Sequence, residues 1–134
     1  MRSGSSEDTV RNPLVIVVDD DQSVRESLPD LLKEFGFRVM TFSSAEGFLA
    51  SGSVGQSACL VLDVAMPGMT GLDLQKELIA RGHKTPIIFI TAHKDESVRK
   101  RALDQGAVDI LQKPFSDTEL RQALSKAVGG LKSL

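Results

Sequence analysis

Three short apolar runs, Leu14–Val18, Ala58–Leu62 and Ile87–Ile90, constrain this chain more than anything else in it. Each is unbroken and aliphatic, and the first is rich in β-branched residues, so each suits a strand buried on both faces. Strands of that kind lie inside a sheet covered on both sides, and parallel sheets with helical crossovers are built that way. Two further runs, Arg38–Phe42 and Val108–Gln112, mix polar with apolar residues, as strands nearer a sheet edge do. Five strands are expected, three central and two at the edges.

The stretches between them have helical character. Val24, Leu28, Leu31, Leu32 and Phe35 share one face of a first helix, ended at Gly36, with Pro29 placed to kink it. Ser43-x-x-Glu46 and Ser116-x-x-Glu119 have the spacing of capping boxes and would open the second and fifth helices. Thr70 would cap the third, which ends before Gly82; the fourth would run from about Asp95 to Gln105, with Gly106 to stop it. Strand and helix alternating five times call for right-handed crossovers. With strands 1, 3 and 4 interior, the order 2-1-3-4-5 satisfies the burial pattern, an α/β flavodoxin-like (βα)5 arrangement. Ligands of such sheets bind at the carboxyl ends of the strands, near the switch point between strands 1 and 3.

The polar, Ser/Gly-containing segment 1–13 reads as a flexible leader, 14–128 as one domain, and 129–134 as a tail or the start of a linker to an output domain. A hydrophobic share of 41% and a charged share of 25% match ordinary globular usage and exclude wholesale disorder. A formal charge of −2, with neither Trp nor Tyr, argues against a direct nucleic-acid grip. The lone cysteine, Cys59, excludes an internal disulfide and a cysteine zinc cluster and reads as a small buried hydrophobe. No run is long enough to span a membrane and no signal peptide opens the chain, so a cytoplasmic location is expected.

The strand ends carry the chemistry. Strand 1 runs into Asp19-Asp20-Asp21, strand 3 ends at Asp63, strand 4 at Thr91, and strand 5 runs into Lys113-Pro114. Asp21 has the position of an N-cap for the first helix. Carboxylates gathered on one rim repel: at about 4 Å two like charges cost about 1 kcal/mol in water and about 4 at an effective dielectric of 20. A hard divalent cation relieves this, and oxygen ligands with places for water suit Mg²⁺.

On these residues, and on the stretches SSAEGFL, TPIIFITAHKD and QGAVDILQKPF, the chain resembles the receiver domain of two-component response regulators, most nearly the FixJ-like class. The resemblance covers about residues 14–128. It implies a phosphorylated signalling domain rather than an enzyme, with Asp63 accepting a phosphoryl group from a sensor histidine kinase. It implies Mg²⁺ held by Asp19, Asp20, Asp63 and the backbone carbonyl of Ala65, with Asp19 acting mainly through metal-bound water. Thr91 would be the switch hydroxyl and Lys113 the phosphoryl-pairing lysine, followed by a cis bond to Pro114. The output face would be helix 4, strand 5 and helix 5, which often pairs with its copy in a phosphorylation-dependent homodimer; Lys94, Arg99 and Arg101 would there lie beside Asp109, Asp117 and Glu119. FixJ-like relatives carry a DNA-binding domain and regulate transcription.

Two positions depart from the family's habit. Ile110 stands where a rotating aromatic ring is common, and Ala65 is small at a position often larger or polar. His83 and His93 lack metal-ligand spacing and read as solvated loop residues, His93 at the mouth of the site; Lys94, Arg99, Lys100 and Arg101 read as a solvated helix face. A second reading takes Val18–Ser23 as the Asp-x-Asp opening of haloacid-dehalogenase-like phosphatases, with Asp19 as nucleophile and Asp21 as acid/base. That reading leaves Asp63 without a role, and the chain is short for it. A receiver-like module that never takes up phosphate is a third, against which the intact acid set argues.

Overall fold

A computed structural model describes residues 12–129; the expectations for 1–11 and 130–134 lie outside the described residues. The elements alternate as expected: β1 (Leu14–Val18), α1 (Gln22–Glu34), β2 (Arg38–Phe42), α2 (Ala45–Ala50), β3 (Cys59–Asp63), α3 (Gly71–Ala80), β4 (Ile87–Thr91), α4 (Glu96–Asp104), β5 (Asp109–Gln112) and α5 (Asp117–Val128). The sheet order is β2-β1-β3-β4-β5, and every pairing is parallel.

Two apolar layers form because successive strand residues face opposite ways. Ile16, Val18, Leu60, Leu62 and Phe89 pack with Phe48 of α2, Leu74 and Leu78 of α3 and Ala102 of α4. Val15, Val17, Val61, Ile88 and Ile90 pack with Leu28 and Leu32 of α1 and with Leu120 and Leu124 of α5. The fully buried β1 and β3 thus account for their unbroken apolar runs, while edge strand β2 is largely exposed. Each large aliphatic side chain fully buried here contributes about 1.5–3 kcal/mol of transfer free energy. Cys59 belongs to the second layer as a buried hydrophobe, and that burial pushes its thiol up to about 12.

The helix starts follow the capping rules, with one correction. Asp21 caps α1, and the boxes Thr70/Asp73 and Ser116/Glu119 open α3 and α5. The second helix is capped by Ser44, whose hydroxyl accepts the N–H of Gly47 at 2.9 Å, so Ser43-x-x-Glu46 is not a capping box. Serines 43 and 44 are adjacent, and the backbone turned helical one residue later than the spacing suggested. Helix α1 continues through Pro29. Strand β3 starts at Cys59 and reaches Asp63, one residue beyond the apolar run, because Asp63 still pairs with Ile90 of β4. Gly106, just after α4, adopts φ 102, the left-handed geometry that ends the helix at little steric cost. Among the described residues no helix is long and apolar enough to cross a membrane.

Candidate functional site

Parallel pairing of β1 with β3 sets Val18 opposite Leu62, so the next residues along, Asp19 and Asp63, emerge side by side at the carboxyl end of the sheet. Asp19, Asp20 and Asp63 each offer a carboxylate oxygen, and these lie within 4.8 Å of one another. Asp19 is completely buried, Asp63 nearly so, and Asp20 is exposed. The Asp19 carboxylate accepts the N–H of Asp21 at 2.9 Å through Oδ1 and meets the Lys113 ammonium at 2.9 Å through Oδ2. Lys113 Nζ stands 4.0 Å from Asp63 Oδ1. The Lys113–Pro114 bond is cis, as the resemblance implied.

Burial pushes the Asp63 carboxyl up to about 7, the negative charge of Asp19 adds to the effect, and Lys113 offsets only part of it. One ammonium against three carboxylates leaves the pocket with excess negative charge. Oδ2 of Asp19 is buried, and its partner there is the Lys113 ammonium. The donors are all oxygen, closely spaced, and one of them faces solvent. Such a set fits a hard divalent cation that keeps part of its water, and fits a soft metal poorly.

The other anticipated residues stand on the same rim. The N–H of Ala65 lies 3.4 Å from Asp63 Oδ1, and Ala65 itself is exposed. Thr91 ends β4, but its hydroxyl is turned into its own loop: it donates to the His93 carbonyl at 3.0 Å and accepts the His93 N–H at 3.2 Å. The N–H of Lys113 donates to the Thr91 carbonyl at 2.7 Å, tying the ends of β4 and β5. Beside Thr91, a cavity of about 300 Å³ opens between α4 and β5, lined by Val98, Arg99, Ile110 and Gln112 among others. Buried Ile110 forms part of its wall.

Several readings need revision. Asp21 spends its side chain on capping, accepting the N–H and hydroxyl of Ser23 at 2.9 and 2.7 Å, bonds that hold its carboxyl below the usual range. It is therefore not presented beside Asp19 as the acid/base of the phosphatase reading. Arg99 is not simply solvated, since it donates to the Ile110 carbonyl at 3.3 Å. Asp109 pairs with Lys126 at 3.4 Å and Glu119 serves its capping box, so of the acids on that face Asp117 has the fewest commitments. His93 is exposed as expected, whereas His83 is half-buried with its ring against Gly55.

Three contributors escaped the sequence reading. Arg25 donates to the Asp19 carbonyl at 2.9 Å and so steadies the acidic turn; its place one turn into α1 was the available signal. A Cβ on Gly71 would overlap the carbonyl oxygen of Asp63. Glycine directly after the Thr70 cap, where it adds nothing to helix stability, was the hint there. Glu46 reaches the loop after β3 and accepts the N–H of Met69 at 2.9 Å.

Comparison with known proteins agrees with this fold. Residues 15–125 match the family described as the response regulator receiver domain. Nodulation protein W of Bradyrhizobium diazoefficiens is 47% identical over 114 residues, covering 85% of this chain and 50% of that protein. The transcriptional regulatory protein FixJ of Azorhizobium caulinodans is 44% identical, over 86% of this chain and 54% of that one. Among solved structures, FixJ-N superposes with a TM-score of 0.80 at 38% identity, over 89% of this chain and 95% of that one. The response regulator StyR gives a TM-score of 0.81 at 44% identity, over 91% and 62%. The chain spans about half the length of the curated relatives it matches.

Proposed function

The chain belongs to the response regulator receiver domain family, a signalling rather than a catalytic family, and on that premise we propose that Asp63 is the phosphoacceptor of a two-component pathway. A sensor histidine kinase would be the donor. The observation that carries the proposal is the position of Asp63, at the end of a central strand within 4.8 Å of two further carboxylates and 4.0 Å from Lys113.

Asp63 attacks the phosphorus of the kinase's phosphohistidine in line; the new P–O bond forms as the P–N bond breaks, and the imidazole leaves. Such a transfer needs alignment and charge neutralisation more than covalent machinery. Asp19, Asp20, Asp63 and the Ala65 carbonyl would hold Mg²⁺, which when bound supplies positive charge to the acids and the phosphoryl oxygens. Lys113 pairs with a phosphoryl oxygen from the side it already occupies. Thr91 gives up the His93 carbonyl and donates to another, which pulls on the loop into α4.

That movement would reach the face formed by α4, β5 and α5 and promote a homodimer through it. The output would be transcription, exerted in the cytoplasm by a DNA-binding part of the full-length protein. Relatives named as transcriptional regulatory proteins, only about half of whose length this chain matches, support that step. Intact mass after incubation with Mg²⁺ and a small acyl phosphate tests the core of the reading. One added phosphoryl group is expected, lost in Asp63→Asn and lost with excess chelator. Undiminished labelling of that variant would overturn the assignment.

A further inference from the structure

Glu46 stands on the first turn of α2, whose N-cap is Ser44. Its carboxylate crosses to the loop joining β3 to α3, where Oε2 accepts the N–H of Met69 at 2.9 Å. The same oxygen fills the space beside Gly68, where a Cβ would come within 2.6 Å of it. Gly68 has φ 74, so this turn excludes a side chain both by backbone geometry and by the seated carboxylate. The Met69 N–H, more than any other neighbour, holds the Glu46 carboxyl below its usual range, so the bonded form at neutral pH is the anion.

The loop that receives this bond begins directly after Asp63. Its neck is fixed by the N–H of Gly71 on the Val64 carbonyl at 2.9 Å and by the N–H of Val64 on the Ile90 carbonyl at 3.0 Å. Met66 is buried in the core, and Thr70 begins α3 through its capping box. The tip, Gly68–Met69, is tethered from a different part of the chain, a helix that gives no carboxylate to the acidic cluster.

We infer that Glu46 is a positioning residue for the acidic site: by bonding Met69 it sets the β3–α3 loop, and with it the main chain of Ala65 beside Asp63. The inference rests on the proposed Mg²⁺ site and adds that α2 is mechanically part of it. A partner pressing on α2 would then alter cation affinity without touching the acids.

Three variants separate reach from charge. Glu46→Ala removes the acceptor, Glu46→Asp keeps the charge but is too short, and Glu46→Gln keeps the reach and an acceptor oxygen. Two quantities are read: Mg²⁺ affinity by calorimetry and hydrogen exchange of the Met69 amide by NMR. Glu46→Ala and Glu46→Asp should bind Mg²⁺ about tenfold more weakly, the low end for groups that orient metal ligands, with faster exchange at Met69. Glu46→Gln should stay within about twofold of the parent, a rescue that a simple charge effect would not give. Unchanged Mg²⁺ affinity or unchanged Met69 exchange in Glu46→Ala overturns the inference, as does Glu46→Gln behaving like Glu46→Ala. If the parent itself binds no Mg²⁺, both this inference and the proposed metal site fall; if only the Glu46 variants are silent, the metal site stands.

Discussion

Lys113 is bonded to Asp19, at 2.9 Å, and only approaches Asp63, at 4.0 Å. The lysine is thus held by the fully buried carboxylate while its charge still reaches the residue that takes up phosphate in our reading. Asp19 depends on it in turn, because a carboxylate with no exposure and no cationic partner is costly.

Removing Lys113 should therefore cost fold stability as well as function. Lys113→Ala leaves Asp19 as an uncompensated buried charge, and a loss of about 3 kcal/mol is expected, at the low end for broken buried pairs. Urea unfolding at pH 7 with chelator present measures it. A loss below about 0.5 kcal/mol, the scale of an ordinary surface substitution, would show that the pair is not supporting the fold.

Asp63 predicts a pH slope of defined sign. Its carboxyl is raised to about 7 by burial and by Asp19, so the folded chain holds this proton more firmly than the unfolded chain does. The stability contributed by this group then falls as pH rises from the ordinary carboxylate range near 4 to about 7, and is absent above it. With chelator present, Asp63→Asn should be more stable than the parent at pH 8, by on the order of 1 kcal/mol, and lose that advantage near pH 4. Mg²⁺ should narrow the gap at pH 8. Parent and variant with parallel stability profiles from pH 4 to 8 would contradict the shift.

Gly71→Ala opposes two known effects. Alanine is favoured over glycine within helices by up to about 1 kcal/mol, but here its Cβ overlaps the Asp63 carbonyl and presses on the Phe89 ring at 3.1 Å. Overpacking against backbone costs about 1–3 kcal/mol, so the net change should be a destabilisation, accompanied by slower phosphorylation. A variant as stable as the parent, with unchanged labelling, would show that the loop yields freely.

Thr91 should separate phosphorylation from output. Its hydroxyl is engaged with both the N–H and the carbonyl of His93, so recruitment to a phosphoryl oxygen must loosen that loop. Thr91→Ala should still gain one phosphoryl group but fail to dimerise, whereas the phosphorylated parent should dimerise less as salt rises, because the contacts are exposed. Sedimentation velocity on both proteins decides it. A dimer of parental strength in the variant would remove Thr91 from the switch.

Much of the fold was legible because its determinants are local. Apolar runs such as Leu14–Val18 have nowhere to go except between two covering layers, and Thr70, Asp95 and Ser116 act as caps through atoms two or three residues away. The acids, Thr91 and Lys113 could be assigned to one rim because parallel strands bring all their carboxyl ends to the same side. Where local choices were nearly equivalent, as between Ser43 and Ser44, spacing alone picked the wrong one.

What the sequence by itself determined, then, is the set of elements, their order in the sheet and the edge at which chemistry gathers, since periodicity and chain direction are properties of neighbouring residues. Tertiary structure alone decided that Lys113 bonds Asp19 more closely than Asp63, and that Glu46 crosses 23 residues to hold Met69. Those outcomes depend on distances of an ångström or so between groups far apart in the chain, and only packing of the two apolar layers sets such distances.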